Sequence, residues 1–291
     1  SCKLLCSWCS CWCCFGCFFC SDSFHRQLQT AAVVGLENLD AHLLAFGQVV
    51  SDRIDALGGE VGIAGSGTDL TISVSTTHAN IDALISLVLE VVQHANFSQE
   101  QLDEYTSKLT TSLKSSMTEP TAIASRMLTR HDNPWAKDDI RYMPSFEESL
   151  AAVASLKRSD LVNFHQTFYG ASKVSIGIVG HFNPTSFEQT VTKALSNWKA
   201  GAPYTRISNP YREVKAEQMQ ALTPDKANAF YTANLALKLQ DTDPDYPALY
   251  LANFLLGSSE TSRLWMRVRE KEGLSYNVRS RLSVSSFEPS G

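Results

Sequence analysis

The sequence predicts an α+β protein built as two α/β sandwich-like domains, with largely antiparallel sheets packed by helices and the second domain truncated. Three observations lead there. Val61 and Ile63 alternate with small residues, and Leu70, Ile72 and Val74 alternate with Thr71, Ser73 and Ser75, so a hairpin with one buried face is the natural reading. Helical and extended segments are joined by hairpins and short loops rather than in strict β-α-β order, which favours antiparallel sheets. Residues 199–214, with Gly201, Pro203 and Pro210, interrupt the periodic pattern and make the best linker in the chain. The expected organisation is therefore an anomalous Cys-rich segment at 1–23, a first domain at 24–199 and a partial second domain at 200–291.

In chain order, Leu36 to Leu57 has a helical spread of apolar residues and stops at Gly58-Gly59, where a glycine supplies the left-handed conformation that ends helices. The hairpin follows, with its turn at Gly65-Ser-Gly-Thr-Asp69. Ile81 to Val92 is an apolar-rich helix. Ser98 and Gln101 have capping-box spacing, and Phe97 can staple to Leu102, so another helix starts there. Thr129 to Ser145 is rich in turn formers and reads as a long surface connection before a helix from Phe146 to Leu156. Ser159 is placed to cap a helix closed by Gly170, Val174 to Val179 is a β-branched strand, and Asn183-Pro184 opens a helix ending near Trp198. Beyond the linker, Ala229 to Leu239 reads as a strand. Asp243 to Pro247 introduces a helix closed by Gly257, the helix Ser262 to Gly273 follows, and Leu274 to Ser286 returns as a strand.

The 291 residues are 44% hydrophobic and 19% charged, enough for a real core, and the formal charge of −5 with no Lys/Arg run argues against nucleic acid as a partner. All eight cysteines fall between Cys2 and Cys20. Three readings of that segment stand: an out-of-frame start, a signal or anchor remnant behind Lys3, or a metal site, the last without finger-like Cys spacing. The chain begins with Ser and stops just after a strand-like stretch, so it reads as a fragment. A body without cysteine suits an exported protein and also many cytosolic ones; an exported, periplasmic or membrane-associated location is the expectation, with membrane contact left open.

None of the seven histidines stands four residues from another with Glu between, so the H-x-x-E-H zinc helix is absent. His42 offers one lone imidazole, and the adjacent pairs Asp138-Asp139 and Glu147-Glu148 read as solvated rather than as an acid/base device. No nucleophile elbow, phosphate loop or dinucleotide fingerprint occurs. The informative stretch is Ser262 to Tyr276, in which Arg269 falls in the last turn of a helix and Tyr276 lies just past Gly273, so both can converge on one point. The plain alternative is that Arg269 complements the helix dipole and Tyr276 is an ordinary strand aromatic.

Arg269-Glu-Lys-Glu-Gly-Leu-Ser-Tyr276 resembles the substrate-binding segment of insulinase/pitrilysin-type zinc metallopeptidases, the inverzincins. The resemblance extends in order through Ser51 to Gly59 with the hairpin, Ser98 to Leu102, Asp160 to Pro184 and Leu255 to Leu264. It implies the metallopeptidase/processing-peptidase-like fold, and roles for Arg269 and Tyr276 as donors to the scissile carbonyl. Where the family's active half carries its zinc helix this chain has Ala32 to Leu36, and Thr111 or Ser112 stands near the place of the third ligand. The resemblance is thus to the non-metal-binding C-terminal half of a bacterial processing-peptidase-like enzyme, with no catalytic or metal residue of its own. It implies zinc in a partner half, on the same longer chain or a separate subunit, and peptide substrates enclosed between the halves. A structural or assembly subunit with no role in hydrolysis is the alternative, and an independent peptide-binding module a third.

Overall fold

In the computed structural model, which describes residues 2–6, 48–66, 69–198 and 202–291, the double glycine at 58 and 59 does two different jobs. Helix α1, Gln48–Ala56, ends in a Schellman turn: Gly59 N donates to Ile54 O at 3.0 Å and Gly58 N to Asp55 O at 2.8 Å. Gly58 takes the left-handed φ of 56° that this turn needs. Gly59 is needed for space, since a Cβ there would lie 2.5 Å from Leu84 Cδ2. The expected earlier turns of this helix, from Leu36, lie outside the described residues.

The predicted hairpin follows as β2, Glu60–Ser66, and β3, Asp69–Thr76, antiparallel with Ser66 opposite Asp69. Ile72, Val74 and Thr76 are buried along one face, as strand alternation requires. The sheet has the order β2-β3-β1-β4, in which β1, Cys2–Cys6, lies antiparallel to both β3 and β4, Ile176–Val179. A strand at Cys2–Cys6 is not announced by the composition of the Cys-rich segment.

Helix α2, Ile81–Gln93, buries Ile81, Leu84, Ile85, Leu87, Val88, Leu89 and Val92. These side chains form the main core with Ile54, Ile72, Val74 and Phe187; burial of such a side chain contributes about 1.5–3 kcal/mol. Phe187 comes from α7, Pro184–Leu195, whose start is fixed as expected: the Asn183 side chain accepts from Thr185 N and Ser186 N. A second core joins Phe97, Leu102, Val153 and Leu161. It holds α3, Gln99–Ser116, α5, Phe146–Ser155, and α6, Arg158–Phe168. Ser98 caps α3 by accepting from Gln101 N, and Phe97 and Leu102 are both buried, as the staple reading requires.

Three expectations are corrected here. The connection after residue 129 starts later, because α4, Pro120–Asp132, keeps Thr129 to Asp132 helical until Asn133-Pro134 breaks it. Helix α6 begins before Ser159; Asp160 accepts from the Lys157 N–H at 2.9 Å and caps the end from inside. Asp139 and Glu148 are not merely solvated. Asp139 holds Arg141 at 2.6 Å, and Glu148 accepts from Ser145 N at 2.8 Å, from Tyr142 Oη at 2.8 Å and from Lys137. The Lys137 contact foremost, then the Ser145 amide and the Tyr142 hydroxyl, pull the Glu148 carboxyl down to about 2. The loop from 133 to 145 is thereby tied to the N-terminus of α5.

The chain divides into two compact units, Ser1–Arg206 with Ala221–Phe230 and Ile207–Gln220 with Tyr231–Gly291. The second carries α8, Tyr246–Gly257, and α9, Trp265–Lys271, a short helix of wider, i→i+5 winding. The two strands expected at Ala229 to Leu239 and Leu274 to Ser286 form no ladder among the described residues. Alternation alone yields extended backbone, whereas a strand needs an aligned neighbour over several residues. Only scattered bonds occur, such as the reciprocal pair between Leu237 and Gly291 at 2.7 and 2.9 Å and the bridge of Gln240 to Ser285. Among the described residues no helix is long and apolar enough to cross a membrane.

Candidate functional site

Arg269 and Tyr276 are held by a helix end and the turn that follows it. In α9, Trp265 is the one large apolar side chain that becomes buried. Four residues on, Arg269 lies on the same helix face, and its guanidinium carbon sits 4.2 Å above the Trp265 ring centre. Stacking engages the face of the guanidinium and does not consume its in-plane N–H donors. Its Nε is 3.7 Å from the Glu270 carboxylate, a loose pair at a half-exposed site, whereas Arg267 and Glu272 are paired at 2.9 Å. The helix stops because Gly273, at φ 63°, donates to Arg269 O at 3.2 Å, and Leu274 N reaches Val268 O at 3.0 Å.

Tyr276 stands three residues past that turn with 91% of its surface open. A small turn, with Asn277 N on Ser275 Oγ at 3.2 Å, bends the chain around it. The structure places both residues at the same end of α9, and no hydrogen bond joins them among the described residues. Beyond Tyr276 the chain is tied down at Ser280. The Ser280 N–H donates to Gly257 O at 3.1 Å, its hydroxyl to Asn253 O at 3.3 Å, and its carbonyl accepts from Ser258 Oγ at 3.2 Å. The approach is possible because residue 257 is glycine; a Cβ there would lie 2.5 Å from Ser280 N.

Sequence reasoning singled out Arg269 and Tyr276 as candidates and did not name the groups that hold them. Trp265 was legible from its i,i+4 spacing to Arg269. The Gly257 to Ser280 contact was not, because nothing in local periodicity links residues so far apart.

Among the described residues the donor set does not fit zinc. Ala32 to Leu36 and His42 lie outside the described residues, and the former carry no side-chain donor. Thr111 and Ser112 lie on α3, exposed, with the Thr111 hydroxyl donating to Ser107 O at 3.0 Å. A hydroxyl spent on its own helix is no substitute for a carboxylate ligand. Among the described residues no group of three or more His, Cys, Asp or Glu could hold a metal ion.

Residues 155–290 match the sequence model of the Peptidase M16 inactive domain. The chain is similar to the uncharacterized zinc protease YmxG of Bacillus subtilis, 25% identical over 275 residues, covering 90% of this chain and 63% of that protein. It is also similar to the non-peptidase homolog YmxG of Helicobacter pylori, 23% identical over 221 residues, covering 75% of this chain and 49% of that one. The chain therefore spans 63% and 49% of the lengths of these two relatives. Among solved structures, the peptidase M16 inactive domain from Pseudomonas fluorescens superimposes with a TM-score of 0.70 at 20% identity, over 98% of this chain and 66% of that one. The periplasmic protease PqqL of Escherichia coli gives 0.58 at 17% identity, over 99% of this chain and 30% of that one. Residues 155–290 are thus a Peptidase M16 inactive domain, and the chain has the fold of the M16 inactive-domain proteins, the insulinase/pitrilysin-type family that its sequence resembles.

Proposed function

We propose that this chain is the non-catalytic half of a zinc metalloendopeptidase, which encloses an extended peptide and presents Arg269 and Tyr276 to its scissile carbonyl. The observation that carries the reading is that both residues lie within the inactive domain, at the end of one helix, with their polar ends open. Zinc in a partner half would supply the Lewis-acid chemistry that hydrolysis needs. This half orients the peptide and excludes water. The Arg269 guanidinium and the Tyr276 hydroxyl donate hydrogen bonds to the carbonyl oxygen, and these strengthen as negative charge develops on it. Stacking on Trp265 holds Arg269 ready before the peptide arrives, so less side-chain entropy is lost on binding.

The test is to mix the chain with a zinc-bearing half encoded beside it and follow cleavage of a quenched peptide. Activity needing both halves, and falling about 10²-fold or more in Arg269→Ala and in Tyr276→Phe, is the expected result. An active mixture indifferent to both substitutions leaves this half a scaffold and removes the site. A structural or assembly subunit is the second reading, favoured by the name of the H. pylori relative, a non-peptidase homolog. Stable assembly with no zinc-bearing partner, and no cleavage by any mixture, supports that reading instead.

A further inference from the structure

The stretch that carries Arg269 and Tyr276 is the most cationic in the molecule. Between residues 263 and 281 stand Arg263, Arg267, Arg269, Lys271, Arg279 and Arg281 against only Glu270 and Glu272, a net of +4 in a chain whose formal charge is −5. Two of the six are engaged as described above: Arg267 is neutralised by Glu272, and Arg269 is stacked on Trp265 beside Glu270. Arg279 and Arg281 differ. Both are exposed, and neither has an ionic partner among the described residues.

Their direction is set by the clamp at Ser280. From 277 to 284 exposed and partly covered residues alternate one by one, as they do where successive side chains take opposite faces. Ser280 is turned inward by its bonds to Gly257 and Asn253, and Val278, Leu282 and Val284 share its partly covered side. Asn277, Arg279, Arg281 and Ser283 are then left on the open face, where all four are exposed. Positions two residues apart on one face recur every ~7 Å of an extended chain, the same repeat that a bound extended peptide shows on its facing side. Each of the two guanidiniums offers a planar fork that fits a carboxylate through two parallel hydrogen bonds.

We infer that the open face of residues 277–283 is an anion-recognising subsite, in which Arg279 and Arg281 select extended peptides bearing acidic side chains about three to five residues from the bond held at Arg269 and Tyr276. The offset follows from sequence distance: Arg279 and Arg281 lie three and five residues beyond Tyr276. At about 3.3 Å per residue this is at most about 10–17 Å along the chain. The substrate class is thus acidic peptides, and the inference rests on the reading of this half as peptide-enclosing. Charge placed on a rim in this way acts mainly on selection and on the rate of encounter, and it weakens with salt.

The experiment uses the full chain and three labelled peptides of equal length, one rich in Asp and Glu, one in Ser and Gln, and one in Lys. Binding is followed by fluorescence anisotropy at about 50 and 300 mM salt, conditions that span the screening of surface charge. The acidic peptide is expected to bind about tenfold or more tightly than the neutral one at low salt, with the advantage shrinking at high salt. The double variant Arg279→Ser/Arg281→Ser should lose that advantage with an unchanged circular dichroism spectrum, and Arg279→Lys/Arg281→Lys should retain part of it. Equal affinity for the three peptides overturns the subsite, as does a double variant that keeps the preference. A single-stranded oligonucleotide bound as tightly as the acidic peptide also overturns it, because the face then attracts any polyanion. The two proposals separate cleanly. A neutral peptide bound without acidic preference, and weakened by Arg269→Ala, removes the subsite and leaves the peptide-enclosing role. An acidic preference that survives when the zinc-half mixture shows no cleavage supports the subsite and removes the shared hydrolysis.

Discussion

Helices α2 and α8 are both strongly apolar, yet they end in opposite surroundings. Seven apolar side chains of α2 are buried between the sheet and α7, with Leu84 fully enclosed. In α8 only Gly257 is buried, and Tyr250, Leu251, Phe254, Leu255 and Leu256 stand open. A helix apolar all round normally lies inside a protein. The difference teaches that composition supplies the wish for burial and neighbours decide whether it is granted. The first unit draws its order from packed apolar volume. The second draws it from hydrogen bonds and close backbone approach around Gly257, Ser280 and Gly273.

The largest test of that contrast is a pair of substitutions. Leu84→Ala removes a fully enclosed side chain beneath Gly59 and should cost about 2–5 kcal/mol in urea unfolding, because it leaves a cavity. Leu251→Ser, at a residue 58% exposed, should change stability by about 0.5 kcal/mol or less. Equal losses would break the comparison, since α8 would then be packed in solution.

A smaller effect is expected inside the second unit. Replacing Gly257 by Ala improves helix propensity by about 1 kcal/mol, but the new Cβ would meet the Ser280 backbone nitrogen at 2.5 Å, and backbone cannot swing aside. Overpacking of this kind costs about 1–3 kcal/mol, so the clash wins. Hydrogen exchange should read it as about tenfold faster exchange of the amides around Ser280, with the amides of α2 unaffected. Unchanged exchange would show that the close approach does not hold the segment.

The smallest effect is a pH slope belonging to the first unit. His165 is buried, with Nε2 at 2.7 Å from Val92 O and its ring stacked 4.7 Å from that of Tyr169. Burial foremost holds its pKa below the ordinary 6.5, against the pull of the Val92 carbonyl. The folded protein therefore binds this proton less readily than the unfolded chain does. The stability involved is fully present above about 6.5 and is lost as pH falls through that value toward the folded pKa. Urea midpoints at several pH values should fall toward acid in the wild type and more gently in His165→Gln. Parallel slopes would assign the acid sensitivity to other groups.

Much of the local structure was legible before the fold. The Asn183 cap, the Phe97 and Leu102 staple, the hairpin and the glycine stops all depend on residues within a few positions of each other, so their physics is written in order along the chain. Start positions failed where a second signal competed. Ser159 looks like a cap, yet Asp160 binds the Lys157 amide first. Thr129 to Asp132 sits beside turn formers, yet α4 continues through it. The helix end at Arg269 and the Gly273 turn before Tyr276 were legible because they are local too.

The sequence by itself determined several helix stops and caps, the presence of the hairpin and the lack of an H-x-x-E-H motif, and it nominated the two candidate contact residues. Tertiary structure alone decided that β1 inserts between β3 and β4, that Glu148 gathers Lys137 and Tyr142, and that Ser280 docks on Gly257. It also decided that the two alternating segments of the second unit make no ladder. The reason is common to all of these: side-chain spacing sets which face a residue takes, while pairing and burial depend on what the rest of the chain brings opposite that face.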